Sequence, residues 1–328
     1  MLGNSLNKGF RGSLVTISVL YLLLFTLSVF VKNSSENYYY PNIFYNYLTS
    51  QIHSEFLIFI LNHGLLIGGI SLIAYIVSNE EIVDKLNYFP VFIFLLINAM
   101  VLGKDRVSLF LVGNIAILYS VYKIFNTYRQ EKVLSSIYNA CFWISVTLYL
   151  NIANIFIFPF IFISLVVLRP FNWREYAIAI IGFISPIFIY ECLSYLFNFN
   201  QWYVLEGIVE LLSSLRSPLL NIDFLPFLIF TIFLFALSAL SFLVDGFGNT
   251  VKKQKSKTCF FWYMILISPS IFVSGVNYEK ILVLYSIPLC FFIGDFLFNI
   301  KRVRLTNLLL VLFIFSALFY FVKKTALI

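Results

Sequence analysis

The chain has 328 residues, of which 61% are hydrophobic and 11% charged, with a mean hydropathy of +0.94 and a net charge of +7. A soluble domain carries roughly 25% charged residues, so too little polar surface exists to cover a globule of this size in water. The positive charge is read as an orientation signal in cytoplasmic loops, with no nucleic-acid partner expected.

The expected fold is all-α, one polytopic transmembrane helical bundle occupying residues 1–328. A helical span needs about 20 apolar residues. Candidate spans cover residues 13–31, 56–77, 88–102, 107–124, 137–150, 152–168, 177–197, 224–244, 259–273, 281–300 and 305–322. That is about 11 spans, within a range of roughly 9–13, because the third, fifth, sixth and ninth are short for a bilayer. The first follows a basic start at Lys8 and Arg11 and is expected to stay as a signal anchor, since no small-x-small cleavage site follows it. The fifth and sixth meet at "LNIAN" and form either a re-entrant hairpin or a pair of short helices. Pro186 and Pro288 fall inside spans.

With the N-terminus inside, 15 of the 22 Lys and Arg residues fall on cytoplasmic segments and 7 outside. This asymmetry places the N-terminus in the cytoplasm and the C-terminus in the periplasm of a bacterial inner membrane. The strongest single signal, "VKKQKSK" at residues 251–257, is expected to be a cytoplasmic loop. Residues 198–223 place Trp202, Leu205, Ile208, Leu211, Leu212 and Leu215 on roughly one helical face, the pattern of an amphipathic helix in the outer interface. Residues 37–50, "NYYYPNIFYNYLTS", are read as a second interfacial segment on that side. Cys141, Cys192, Cys259 and Cys290 each sit in or beside an apolar run and are expected to be buried, inert thiols.

Polar residues in a membrane are costly, so they carry the functional signal. His53 and Glu55 fall at the outer mouth of the second span, with Asn62 and His63 about 10 Å deeper. Asn98 ends the third span, "GKDR" (Gly103–Arg106) forms the turn after it, and Asn151 and Asn154 occupy the tip between the fifth and sixth. Glu191 lies near the outer end of the seventh. These residues are expected to converge on one cavity open to the outer leaflet. Lys104 and Arg106 can hold a phosphate while Asp105 acts as a base; the alternative is a charged turn with local pairing. Glu191 is either a catalytic carboxylate or a hydrogen-bond partner of a neighbouring Tyr or Asn, and His63 either a substrate ligand or a helix–helix contact. Asp295 can reach Lys301 or Arg302. Two histidines cannot form a three- or four-histidine metal site. No H-E-x-x-H, P-loop or G-x-G-x-x-G occurs, so no metal or cofactor is expected.

The most recognisable stretch is Phe142–Tyr190, with its Phe142–Trp143 pair, an "RPFNWRE" elbow at Arg169–Glu175, and Gly182 four residues before Pro186. It resembles a Bacteroidota family of polytopic inner-membrane proteins that share this elbow. Within the elbow, Pro170 breaks one helix and Asn172 caps the next, with Glu175 at the third helical position. Trp173 suits the interfacial aromatic belt, and Arg169 and Arg174 can reach lipid phosphates. The arrangement of spans is also similar to membrane glycosyltransferases that use polyprenyl-phosphate-linked sugars. That similarity implies short helices at the outer face and a base among the early outer carboxylates, here Glu36, Glu55 and Asp105. The chain differs from them in having no Asp in its first outer loop and no paired carboxylates.

Three functions follow. The first is a glycosyltransferase-like envelope enzyme, with Asp105, Glu55 and Glu191 as catalytic candidates and Lys104, Arg106, His63 and Asn151 as substrate-binding candidates. The second is a non-catalytic membrane subunit or assembly factor that docks a membrane protein partner. The third is a transporter or flippase, disfavoured by the absence of visible inverted repeats.

Overall fold

A computed structural model describes residues 10–28, 54–80, 82–84, 87–100, 102, 108–197, 203–213, 224–244, 250–272 and 278–326. Among these residues there are twelve α-helices, two 3-10 segments and no strand. We number the helices α1 (Phe10–Ser28), α2 (Glu55–Asn79), α3 (Phe89–Ala99), α4 (Leu109–Phe125), α5 (Leu134–Leu148), α6 (Phe158–Leu168), α7 (Trp173–Phe197), α8 (Tyr203–Ser213), α9 (Leu225–Val244), α10 (Val251–Ile267), α11 (Tyr278–Asn299) and α12 (Val303–Ala326). The 3-10 segments are Ile152–Ile157 and Ser268–Phe272. The protein is an all-α transmembrane bundle, and each of the eleven apolar segments overlaps a helix.

Local chemistry starts these helices where the sequence places polar caps. The Ser54 hydroxyl accepts from Leu57 N, Thr250 from Lys253 N, and Asn172 from Arg174 N at 3.3 Å. Each satisfies a backbone donor that the first helical turn leaves open. Pro90 and Pro159 sit in the first turns of α3 and α6, where the missing N–H costs nothing.

Five helices, α2, α7, α9, α11 and α12, contain stretches long and apolar enough to cross a membrane. α3, at 11 residues, rises only about 16 Å and cannot cross a hydrocarbon core of about 30 Å. Every residue of α3 is buried, and it packs against α11, α2 and α1. It runs antiparallel to α11. Asn87 at its start donates to the Gly294 carbonyl at 3.1 Å, and Asn98 near its end is linked through Asn114 to Ser286. The contact at Gly294 is close: a Cβ there would lie 2.6 Å from Pro90 Cγ, so only glycine lets the two backbones meet.

Around this buried pair, α2, α4, α5 and α7 pack side by side in that order. At Gly182 on α7 a Cβ would lie 2.8 Å from the Tyr138 carbonyl of α5, which explains the glycine of the G-x-x-x-P pattern. Tyr138 and Ser185 hydroxyls join the same two helices at 3.0 Å. The outward face of α7 exposes Ile181, Ile184, Phe188 and Leu196, and α9 exposes Ile229, Ile232 and Leu240. In a bilayer these apolar faces meet lipid tails. α10 packs on α6 and α11, and α9 on α11 and α12.

Several sequence expectations change here. "VKKQKSK" is not a loop; it forms the first two turns of α10. "LNIAN" joins two short helical elements, the α5 helix and the 3-10 segment leading into α6. Cys192 is exposed on α7, whereas Cys141, Cys259 and Cys290 are buried as expected. Within residues 198–223, α8 is the described part, and Val204 and Gly207 seat it on the 3-10 segment at Ile152. Residues 37–50 and His53 lie outside the described residues.

Candidate functional site

The bundle has two unlike ends. At one end lie the C-termini of α2, α4 and α11, the start of α10, and the elbow between α6 and α7. Lys252 Nζ lies 3.1 Å from Glu80 Oε2, and Lys253 Nζ lies 3.2 Å from Asp84 Oδ2 and 2.7 Å from Asp295 Oδ1. Lys257 pairs with the second Asp295 oxygen, which also accepts from Asn299 at 3.3 Å. The Asp295 side chain is 2% exposed and that of Lys253 7%. Lys253 lies ahead of the apolar run that begins at Cys259. Burial works to lower its pKa, but the carboxylates of Asp295 and Asp84 outweigh burial, and the net direction is up. Asp295 therefore does not reach for Lys301 or Arg302; it holds α10 against α11.

The elbow is held in the same manner. Arg169 Nε donates to both Glu175 oxygens, at 3.1 and 3.3 Å, and its Nη1 donates to the carbonyls of Thr127 and Gln130 at 2.6 and 2.7 Å. These donors tie the elbow to the turn after α4, where the Thr127 carbonyl also accepts from Gln130 N at 3.2 Å. Arg169 is thus committed inside the protein and does not face lipid phosphate. Phe171 and Trp173 are exposed beside it, with Arg174 6.0 Å from the Trp173 ring.

At the opposite end the polar groups are neutral and incompletely used. Asn114 on α4 donates both amide hydrogens, to Asn98 Oδ1 and Ser286 Oγ, each at 2.8 Å. Its own oxygen accepts nothing among the described residues, although the residue is fully buried. Asn154 donates to the Thr147 carbonyl at 3.2 Å and likewise keeps a buried oxygen with no partner among the described residues. The Cβ direction of Gly113 points to within 3.5 Å of Asn154 Nδ2, so this asparagine packs directly on α4. The hydroxyls of Ser108, Ser145 and Ser270 are also buried without a hydrogen bond among the described residues. At the basic end the Ser256 hydroxyl is buried in the same way; each buried polar group left unpaired costs about 1–3 kcal/mol. Amides and hydroxyls of this kind bind hydroxyl-rich ligands, but they do not act as acids or bases near neutral pH. A reaction here requires a carboxylate from the rim.

The candidate residues fall as follows. Glu55 is exposed in the first turn of α2, where its charge suits the helix N-terminus. His63, two turns on, is buried; its Nδ1 is 2.9 Å from the Phe59 carbonyl, and its ring meets Phe25 edge-on at 4.8 Å. It serves the α1–α2 contact. Asn62 accepts from Ser108 N at 2.8 Å, tying the residue that opens α4 to α2. Asn151 caps the first 3-10 segment by accepting from Ala153 N at 3.2 Å, and its buried Nδ2 is unsatisfied. Glu191 is half-buried on α7 next to Tyr190, whose ring is 4.7 Å from that of Tyr149. Glu55 and Glu191 thus stand on the first and last helices of the α2–α4–α5–α7 row. Lys104, Asp105 and Arg106 lie outside the described residues.

Sequence reasoning missed the Asp295 cluster and the orphaned amide of Asn114. A signal for the first exists, since Lys253 and Lys257 are four apart and share a helical face. Comparison with family models, curated proteins and solved structures finds no match to this chain.

Proposed function

We propose that the protein is an envelope-biogenesis enzyme of the bacterial inner membrane, glycosyltransferase-like, that takes a polyprenyl-phosphate-linked donor at the outer leaflet. The observation that supports it most is the layer of buried asparagine oxygens and serine hydroxyls at the end opposite the paired charges. Such a layer suits the hydroxyls of a sugar. The positive-inside rule puts the basic end in the cytoplasm and this layer toward the periplasm. In this scheme Lys104 and Arg106 hold the donor phosphate, and Asp105, with Glu55 or Glu191 at the rim, supplies the base. The Asn62–Ser108 bond supports the scheme, because it ties the end of the segment that follows Arg106 to the helix that starts at Glu55.

The test is purified protein in lipid nanodiscs, offered polyprenyl monophosphate and, separately, dioleoyl phosphatidic acid. Preferential binding of the polyprenyl lipid, lost in Lys104→Gln/Arg106→Gln but kept in Asp105→Asn, supports the reading. Equal binding of both lipids contradicts it. Isolation of a stoichiometric membrane partner with no bound polyprenyl lipid would replace it with the subunit reading.

A further inference from the structure

The turn after α4 is the one place among the described residues where a non-glycine residue has positive φ: Arg129, at 58°. A side chain in that left-handed region costs roughly 1–2 kcal/mol and persists only where the surroundings enforce it. Here Arg169 enforces it from beneath, through the carbonyls of Thr127 and Gln130 on either side. The consequence is a convergence of cations on one ring. The Arg129 guanidinium lies 5.2 Å from the Tyr128 centroid, Lys255 Nζ 5.7 Å and Lys252 Nζ 6.0 Å.

Only one of these charges is answered by a carboxylate among the described residues. Lys252 pairs with Glu80, while Arg129 and Lys255 have no ion pair there, and neither does nearby Glu131. Lys255 adds to the mismatch, because it sits in the second turn of α10, near the positive end of that helix's dipole. Two unneutralised cations, Arg129 on the strained turn and Lys255 on α10, share the Tyr128 ring and repel each other unless an anion joins them. The level in the membrane indicates which anion. The same Arg169 elbow carries exposed Phe171 and Trp173, the aromatic side chains that settle at headgroup depth.

We infer that Arg129, Lys255 and the Tyr128 ring form a site for the phosphate of an anionic lipid headgroup at the basic end of the bundle. Guanidinium and ammonium both bind phosphate through charge-assisted hydrogen bonds. In this site Arg169 is a positioning residue that shapes the turn and does not touch the lipid. The site is separate from the donor site proposed above and stands without it.

The experiment uses the full chain in phosphatidylcholine nanodiscs with increasing phosphatidylglycerol, counting retained anionic lipid by native mass spectrometry. Each of Arg129→Gln and Lys255→Gln should weaken retention about tenfold, the effect of losing one hydrogen bond to a charged group. Lys301→Gln/Arg302→Gln, which removes two exposed charges from the same end, should change it less than twofold. All of these side chains are at least partly exposed, and unchanged melting temperatures verify the fold. Equal loss in the control pair, or no loss in Arg129→Gln/Lys255→Gln, overturns the inference. A parallel titration of inorganic phosphate into detergent-solubilised protein separates the sources. Saturation by free phosphate with no response to phosphatidylglycerol overturns the lipid assignment.

Discussion

The two ends of the bundle handle polarity in opposite ways. At the basic end, formal charges are paired: Asp295 between Lys253 and Lys257, Asp84 against Lys253, Glu175 against Arg169, Glu80 against Lys252. At the other end the fully buried polar groups are neutral, and among the described residues the oxygens of Asn114 and Asn154 are left unsatisfied. A membrane protein can tolerate a charged cluster that sums to zero, since attraction between the partners offsets the loss of water. It has no such compensation for a lone amide oxygen. The charged residues of the basic end thus do structural duty, while the buried oxygens of Asn114 and Asn154 have no hydrogen-bond partner among the described residues.

That contrast can be broken or sharpened by substitution. The largest effect is expected from Asp295→Leu, which strands buried Lys257 and leaves Lys253 only the half-exposed Asp84; it should cost about 3–5 kcal/mol, read as a lowered melting temperature in detergent. Arg169→Gln comes next. It removes the partner of a buried carboxylate and the donor to two carbonyls, for about 2–3 kcal/mol on the scale of charged hydrogen bonds, read in the same assay. Asn154→Leu should have the smallest effect. It gives up one hydrogen bond to Thr147 and an already unsatisfied oxygen, so the change should stay within about 1 kcal/mol, while binding of a polyprenyl-phosphate-linked sugar falls at least tenfold. If Asn154→Leu proves as destabilising as Arg169→Gln, both ends are structural and the contrast fails.

Much of this fold was legible in the sequence, because apolar run length directly reports a helix in a membrane. The elbow was legible too, since Pro170, Asn172 and Glu175 act on their own neighbours: the Asn172 cap and the start of α7 at Trp173 both occur. Partnerships across the bundle were not. Lys253 and Asp84 are 169 positions apart, and Arg169 meets Thr127 from 42 away. Such pairing depends on helix packing order, which hydropathy does not encode. The same blindness made α3 look like a short span, when its burial on all sides shows a helix enclosed by others. For the candidate site, the bond of His63 to the Phe59 carbonyl and that of Asn151 to Ala153 N depend on local side-chain geometry that residue type does not encode. Asn114 was overlooked because one asparagine in an apolar run gives no pattern.

The most direct measurement is a comparison of melting temperatures for Asp295→Leu alone and for Asp295→Leu combined with Lys253→Met and Lys257→Met. If the buried charges serve only to balance one another, the triple variant recovers most of the stability that the single variant loses, because no unpaired charge remains in the core. A triple variant as unstable as the single one would contradict the account and show that these charges do something their mutual pairing does not explain.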